Sequence, residues 1–187
     1  FDEVISGFRI GFTGAAGYYA IKPDIITYGK IIGGGLPVGA YGASAEIMSK
    51  ISPDGDVYQA GTLSGNPVAM AAGIAQLTEC LKPNFYSDLA KKTQTFVSGI
   101  KNQGSGINIF SIGSIFWMAF TDRKKIQRAE DIDADSMKHF RKLYHELLER
   151  GIYLGPSGYE VGFVCEAHTA EDLNLAGTII SDVLKLI

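Results

Sequence analysis

The 187-residue chain is 46% apolar and 20% charged, a globular composition long enough for one large domain or two small ones and too hydrophobic for intrinsic disorder. Its formal net charge of −3, with Lys and Arg dispersed along the chain, lacks the concentrated basic surface that a phosphate backbone requires, so no nucleic-acid partner is expected. Cys80 and Cys165 stand in no metal-ligand or disulfide-framework spacing, and no apolar run reaches the ~20 residues of a spanning helix, so neither a metal, a disulfide nor a membrane is expected.

In chain order, residues 1–8 read as the end of a buried strand running into a loop, followed by a Gly-punctuated stretch to Ala20. Pro23-Asp24 opens a second strand, 25–28, that ends at Gly29-Lys30. Two short strands, each ending in a polar group, suggest part of an α/β sheet with ligands at the strands' carboxyl ends. The glycine-dense segment 31–43 cannot be a regular helix and is either strand-turn-strand or a loop whose backbone approaches something closely. Residues 44–51 suggest a short helix, and 58–66 a polar loop in which Asn66 caps a helix with Pro67 in its first turn. That helix runs through Leu77 and Leu81, small residues along it suiting close packing, until Lys82-Pro83-Asn84 breaks it.

A further helix is expected over 85–101, then strands over 107–110 and 115–121 around Gly113-Ser114 and a charged connection over 124–135. Phe140, Leu143, Leu147 with Tyr144 and Leu148 form the apolar stripe of a helix ending at Gly151. Residues 152–154 and 161–165 read as two short strands. The last helix starts at Thr169, with Glu171 and Asp172 in its first turn and Leu173, Ala176, Ile180, Leu184 and Ile187 on one face. Both cysteines, Trp117 and Met118 are expected in the core. His139, His145 and His168 lack ligand spacing, and Arg9 reads as ordering its own loop.

Lys30 carries the most chemistry. A lysine after an apolar strand and before Gly33-Gly34-Gly35 sits where a ligand can approach, and partial desolvation there would favour the neutral, nucleophilic amine. Asp2, at the end of the preceding strand, could hold a proton on a heterocyclic nitrogen. Taken singly, each reads more readily as a solvated strand end.

Together the order of FDEVISGFR, then PDIITYGK, then GGGLPVGAYG resembles the class III (fold-type I) pyridoxal-phosphate aminotransferases over about 65 residues of fixed spacing. The resemblance implies that Asp2 faces the pyridine nitrogen of pyridoxal 5'-phosphate, with Val4 beside the cofactor, and that Lys30 binds it covalently. The segment from Tyr58 to Pro67, YQAGTLSGNP, is similar to that of glutamate-1-semialdehyde aminomutases, in which it reaches the neighbouring subunit's site. This similarity implies a homodimer with shared sites, Tyr58 and Thr62 near the cofactor with Thr62 on its phosphate, and glutamate-1-semialdehyde as the small-molecule substrate of an isomerase in tetrapyrrole synthesis. GPSGYEVGF, ending at Phe163, is similar to the family's small-domain segment, with Glu160 matching a Glu near the substrate entrance.

The fold implied is α/β: residues 1–82 the last part of the cofactor-binding large domain, and 83–187 a small C-terminal α+β domain. Because the chain opens on Phe1 with a motif from Asp2, it is expected to be a fragment, inactive alone, of a cytoplasmic enzyme, or a plastid one if from a plant or alga. Two alternatives stay open, an ω-amino-acid transaminase and a non-catalytic assembly module.

Overall fold

Strand β1 (Asp2–Glu3) pairs parallel with β2 (Ile25–Tyr28), which pairs antiparallel with β3 (Ala40–Ala43) to give a sheet in the order β1-β2-β3. The computed structural model describes residues 1–101 and 106–187. The chain divides into two units, Phe1–Tyr86 and Ser87–Ile187.

A parallel pair needs a crossover, and here it contains a helix the sequence reading did not foresee, α1 (Gly14–Tyr18). Two glycines in five residues argue against a helix locally. The helix forms because the Glu3 carboxylate, twelve residues away, accepts the N–H groups of Ala15 and Ala16 in its first turn. After β2, residues Lys30–Gly33 make one 3-10 turn that closes on Gly34 in the left-handed region, φ 57°.

That turn packs on α3 (Pro67–Cys80) through bare backbone. A Cβ at Gly34 would collide with the carbonyl of Ala72, and one at Gly73 with the carbonyl oxygen of Ile32. Gly34, one of the glycines read as admitting a ligand, therefore admits a helix, and β3 begins only at Ala40. Local signals set the helix ends: Asn66 Oδ1 accepts from Val68 N–H (3.0 Å) and Ala69 N–H (3.2 Å) with Pro67 behind it. Likewise, Ser44 Oγ accepts from Ile47 N–H at the start of α2 (Ala45–Met48).

The second unit has the antiparallel sheet β4 (Asn108–Ile112), β5 (Ile115–Ala119), β6 (Gly162–Phe163), in that order. Its helices are α4 (Phe85–Lys101), which begins in the last residues of the first unit, α5 (Ser136–Glu149) and α6 (Ala170–Leu184). Gly113, φ 54°, makes the two-residue hairpin turn between Ile112 and Ile115. Leu143 and Leu147 of α5, Ile100 of α4, and Ile180 and Val183 of α6 are fully buried. Gly177 of α6 faces Phe96 and Ile100, and the Phe96 and Phe116 rings meet edge to face at 5.4 Å.

Several expectations are corrected. Residues 152–154 are not a strand, because Ile152 N–H returns to Leu147 O (2.9 Å) and Gly151 N–H to Leu148 O (3.1 Å), closing α5 with backbone a ladder would need. Leu148 is 46% exposed, leaving Phe140, Leu143 and Leu147 as the buried stripe. Cys80 is buried but Cys165 only half-buried. Met118 is buried, whereas Trp117 is half-buried and donates its Nε1–H to Gly158 O (2.7 Å).

Gly73→Ala should destabilise the protein by roughly 1–3 kcal/mol, despite alanine's better helix propensity, because the new methyl must displace the turn after Lys30. Urea denaturation checks this, and an unshifted midpoint would mean that α3 and the turn do not touch. A second expectation concerns α6, whose capping box joins Thr169 and Asp172. The Asp172 carboxyl is held below its ordinary 3.8, first by the Thr169 N–H and then by the Thr169 hydroxyl. A depressed native pKa means that this stabilisation is complete above the unfolded value and is lost as pH falls through the lower native one. Amide protection factors at residues 169–172, corrected for the intrinsic exchange rate at each pH, should therefore fall below about pH 4, and Asp172→Asn should remove that pH dependence.

Candidate functional site

The parallel register sets Asp2 opposite Thr27 and Glu3 opposite Tyr28. Side chains alternate along a strand, so Asp2 and Thr27 share one face and Glu3 and Tyr28 the other. Asp2 is exposed, and its Oδ1 accepts from Val4 N–H (2.8 Å) and, at the long distance of 3.4 Å, from the Thr27 hydroxyl. Its Oδ2 accepts no hydrogen bond among the described residues. The carboxylate is thus oriented by two donors and keeps one oxygen open.

Val4 links this carboxylate to the next strand end. Gly29 runs extended beside it, and a Cβ there would lie 3.1 Å from Val4 Cγ1. Lys30 follows at once, so Asp2, Val4 and Lys30 form one cluster at the carboxyl ends of β1 and β2. Thr27 and Gly29 belong to it too, and sequence reasoning missed both; the signal for Thr27 was its register with Asp2, which needs the sheet.

Lys30 adopts φ 48°. For a residue with a Cβ the left-handed region costs about 1–2 kcal/mol and persists only where the surroundings enforce it. Here the 3-10 turn enforces it, through Ile32 N–H to Gly29 O (3.3 Å) and Gly34 N–H to Ile31 O (3.0 Å), backed by α3. The side chain is exposed and its amine makes no hydrogen bond or ion pair among the described residues. The partial desolvation expected from its place after an apolar strand is not supplied by this chain, which fixes the backbone of Lys30 and leaves its amine open.

The residue most under-read in the sequence is Glu3. It is 0% exposed, not a solvated strand end. Its Oε2 accepts from the Ser6 hydroxyl and Ala15 N–H (3.0 Å), and its Oε1 from Ala16 N–H (2.6 Å). Gly14, φ +63°, makes room: a Cβ there would sit 2.6 Å from Oε1. On the same face, the Tyr28 phenol is pushed up by its burial and, secondarily, by the Glu3 charge. The Tyr86 hydroxyl donates to Phe8 O (3.0 Å) and pins the loop after β1, its phenol pushed up chiefly by burial.

Tyr58, 82% exposed, and Thr62 lie on the loop leading to the Asn66 cap, and neither side chain makes a hydrogen bond among the described residues. Glu160 belongs to the second unit. It is exposed, with its carboxylate against Gly155, at a cleft of about 210 Å³ that Phe116, Tyr153 and Phe163 also line. Among the described residues no group of His, Cys, Asp and Glu could hold a metal ion.

The aminotransferase class-III family model matches residues 1–184. Among solved structures, the chain is similar to an omega-transaminase from Sphaerobacter thermophilus (28% identity, TM-score 0.85) and to a beta-phenylalanine aminotransferase from Variovorax paradoxus (28%, 0.84). Each match covers 99% of this chain and 43% of the other. A glutamate-1-semialdehyde aminomutase from Pseudomonas aeruginosa PAO1 shares the fold at 23% identity and a TM-score of 0.81, with 99% of this chain and 44% of that one covered. The chain therefore spans less than half the length of the structures it matches.

The left-handed backbone at position 30 gives a direct expectation. Lys30→Gly should be more stable than Lys30→Ala by about 0.5–1 kcal/mol, the steric relief exceeding glycine's entropic cost. Equal urea midpoints for the two variants would contradict the strain.

Proposed function

The chain belongs to the class-III aminotransferases and has their fold-type I fold, with pyridoxal 5'-phosphate as cofactor, and from that premise we propose that the intact enzyme moves an amino group within glutamate-1-semialdehyde to give 5-aminolevulinate. One observation supports the cofactor role of these residues more than any other: Asp2 and Lys30 stand in one strand-end cluster, the first with an oriented, half-open carboxylate and the second with an open amine.

The donor set suits the cofactor. Asp2 would accept a hydrogen bond through Oδ2 from the protonated pyridine nitrogen while Val4 N–H and Thr27 hold Oδ1. Val4 would line the ring's edge, and Lys30 would attach to the aldehyde carbon. When bound, the cofactor supplies an electron sink for the carbon that bears the amino group. Lys30 Nζ would move protons between the substrate and the cofactor. Thr62, with Tyr58 beside it, would meet the phosphate of a second subunit in a homodimer, and Glu160 would stand at the substrate entrance.

The finer assignment rests on the segment from Tyr58 to Pro67, which resembles that of the aminomutases. A second reading, an ω- or β-amino-acid transaminase in which the amino group leaves on one substrate and returns on another, is favoured by the 28% identities to two such enzymes. The intact enzyme separates them. Supplied with glutamate-1-semialdehyde and no other amino donor or acceptor, a mutase yields 5-aminolevulinate over many turnovers, whereas a transaminase, which passes the amino group to a second molecule, does not give 5-aminolevulinate as its net product. Lys30→Ala should abolish turnover and the lysine-dependent cofactor absorbance, and a retained Lys30-independent band would count against the cofactor role of this residue.

A further inference from the structure

We infer that Glu3 is a positioning residue that holds the Asp2 carboxylate on the cofactor's ring nitrogen; the inference rests on the cofactor reading of Asp2 given above. The two residues are adjacent and face opposite sides of the sheet, so Glu3 cannot itself reach the ligand Asp2 meets. It acts through the backbone between them. Val4 N–H, the closer of the two donors that orient Asp2, lies in the same planar peptide as the Glu3 carbonyl, and that carbonyl accepts Gly7 N–H at 2.9 Å. Turning the carbonyl away from Gly7 turns the N–H away from Asp2.

The Glu3 side chain prevents that rotation. Its carboxylate is wholly buried and bound by the Ser6 hydroxyl and the N–H groups of Ala15 and Ala16, all from the segment that follows β1. The segment thus closes around Glu3 from both ends, Gly7 on its carbonyl and residues 15–16 on its carboxylate. Two glycines leave the space: a Cβ at Gly7 would sit 2.7 Å from the Glu3 carbonyl oxygen, and one at Gly14 would sit 2.6 Å from Oε1. A buried charge is tolerated only when its lone pairs are met, and a carboxylate that satisfies three donors cannot swing without leaving them unpaired. Asp2, by contrast, is exposed and would have free rotation but for Val4 and Thr27.

The test measures pyridoxal 5'-phosphate affinity of the intact apoenzyme by fluorescence titration, in a double-mutant cycle. Glu3→Gln presents an amide N–H to one of the backbone donors, and Ser6→Ala, a milder change, removes one donor and keeps the charge. Each is made with Asp2 present and in an Asp2→Asn background. With Asp2 present, Glu3→Gln should weaken binding about tenfold and Ser6→Ala about threefold, and in the Asp2→Asn background both factors should shrink to within about twofold. A general loss of structure would weaken binding equally in both backgrounds, and that result, or no effect in either, overturns the inference. If Glu3→Gln does not fold, the Ser6→Ala pair decides alone. Asp2→Asn binding the cofactor as tightly as the unaltered enzyme, with an unshifted pH midpoint of the cofactor absorbance, would instead overturn the premise and the inference with it.

Discussion

The burial of one carboxylate makes the rest of the site possible. Strand β1 is two residues long, and two ladder positions against β2 cannot by themselves fix the direction of a side chain. Glu3 supplies what the ladder lacks. By accepting the N–H groups that open α1, it ties the crossover back to the strand it left, and the alternation of the strand then turns Asp2 outward. Leaving such a group unpaired costs several kcal/mol, so the native state is confined to arrangements in which the crossover closes. The exposed carboxylate owes its order to the buried one.

A second constraint governs Lys30. Its left-handed backbone would relax in a free loop. The turn after β2 cannot relax, because it meets α3 with no side chain between, Gly34 on Ala72 and Gly73 on Ile32. Backbone packed on backbone has few soft degrees of freedom, whereas interdigitating side chains can repack by rotamer changes. The same contact explains why the helix carries small residues at Ala72 and Gly73, while its first turn is capped locally: Asn66 meets two N–H groups and Pro67 has none to offer.

What the sequence disclosed follows from the range of the forces involved. Elements set within a turn or two were legible: β2 over Ile25–Tyr28, α4 over Phe85–Lys101, the Asn66-Pro67 start of α3 and the Thr169 cap of α6. Elements set from a distance were not. Helix α1 depends on a cap from Glu3, and Glu3 itself looked like half of a solvated strand end until the crossover folded over it. The glycines after Lys30 announced a close approach correctly, but nothing local says whether a ligand or a helix approaches. Residues 152–154 had the β-branched and aromatic look of a strand, and lost that outcome to the closure of α5. The order of Asp2 and Lys30 along the chain carried the family. Their support, from Thr27, Gly29 and Glu3, required the register.

The site is therefore ordered without being dry. Asp2 and Lys30 are both exposed, although the chemistry proposed for them gains from low dielectric and from exclusion of water. Orientation and desolvation are separable, since orientation comes from the register of β1 and β2 and the rigid turn, all within this chain, whereas desolvation needs a lid of other atoms. The chain spans 43% of the length of the transaminase structures it matches, and much of its first unit is apolar yet bare, including Tyr18, Tyr58, Leu63, Val68 and Ile74. Such a lid need not bring catalytic groups of its own to sharpen the site. Removing water from an amine and a carboxylate whose backbones are already fixed would strengthen each of their interactions at no further cost in orientation.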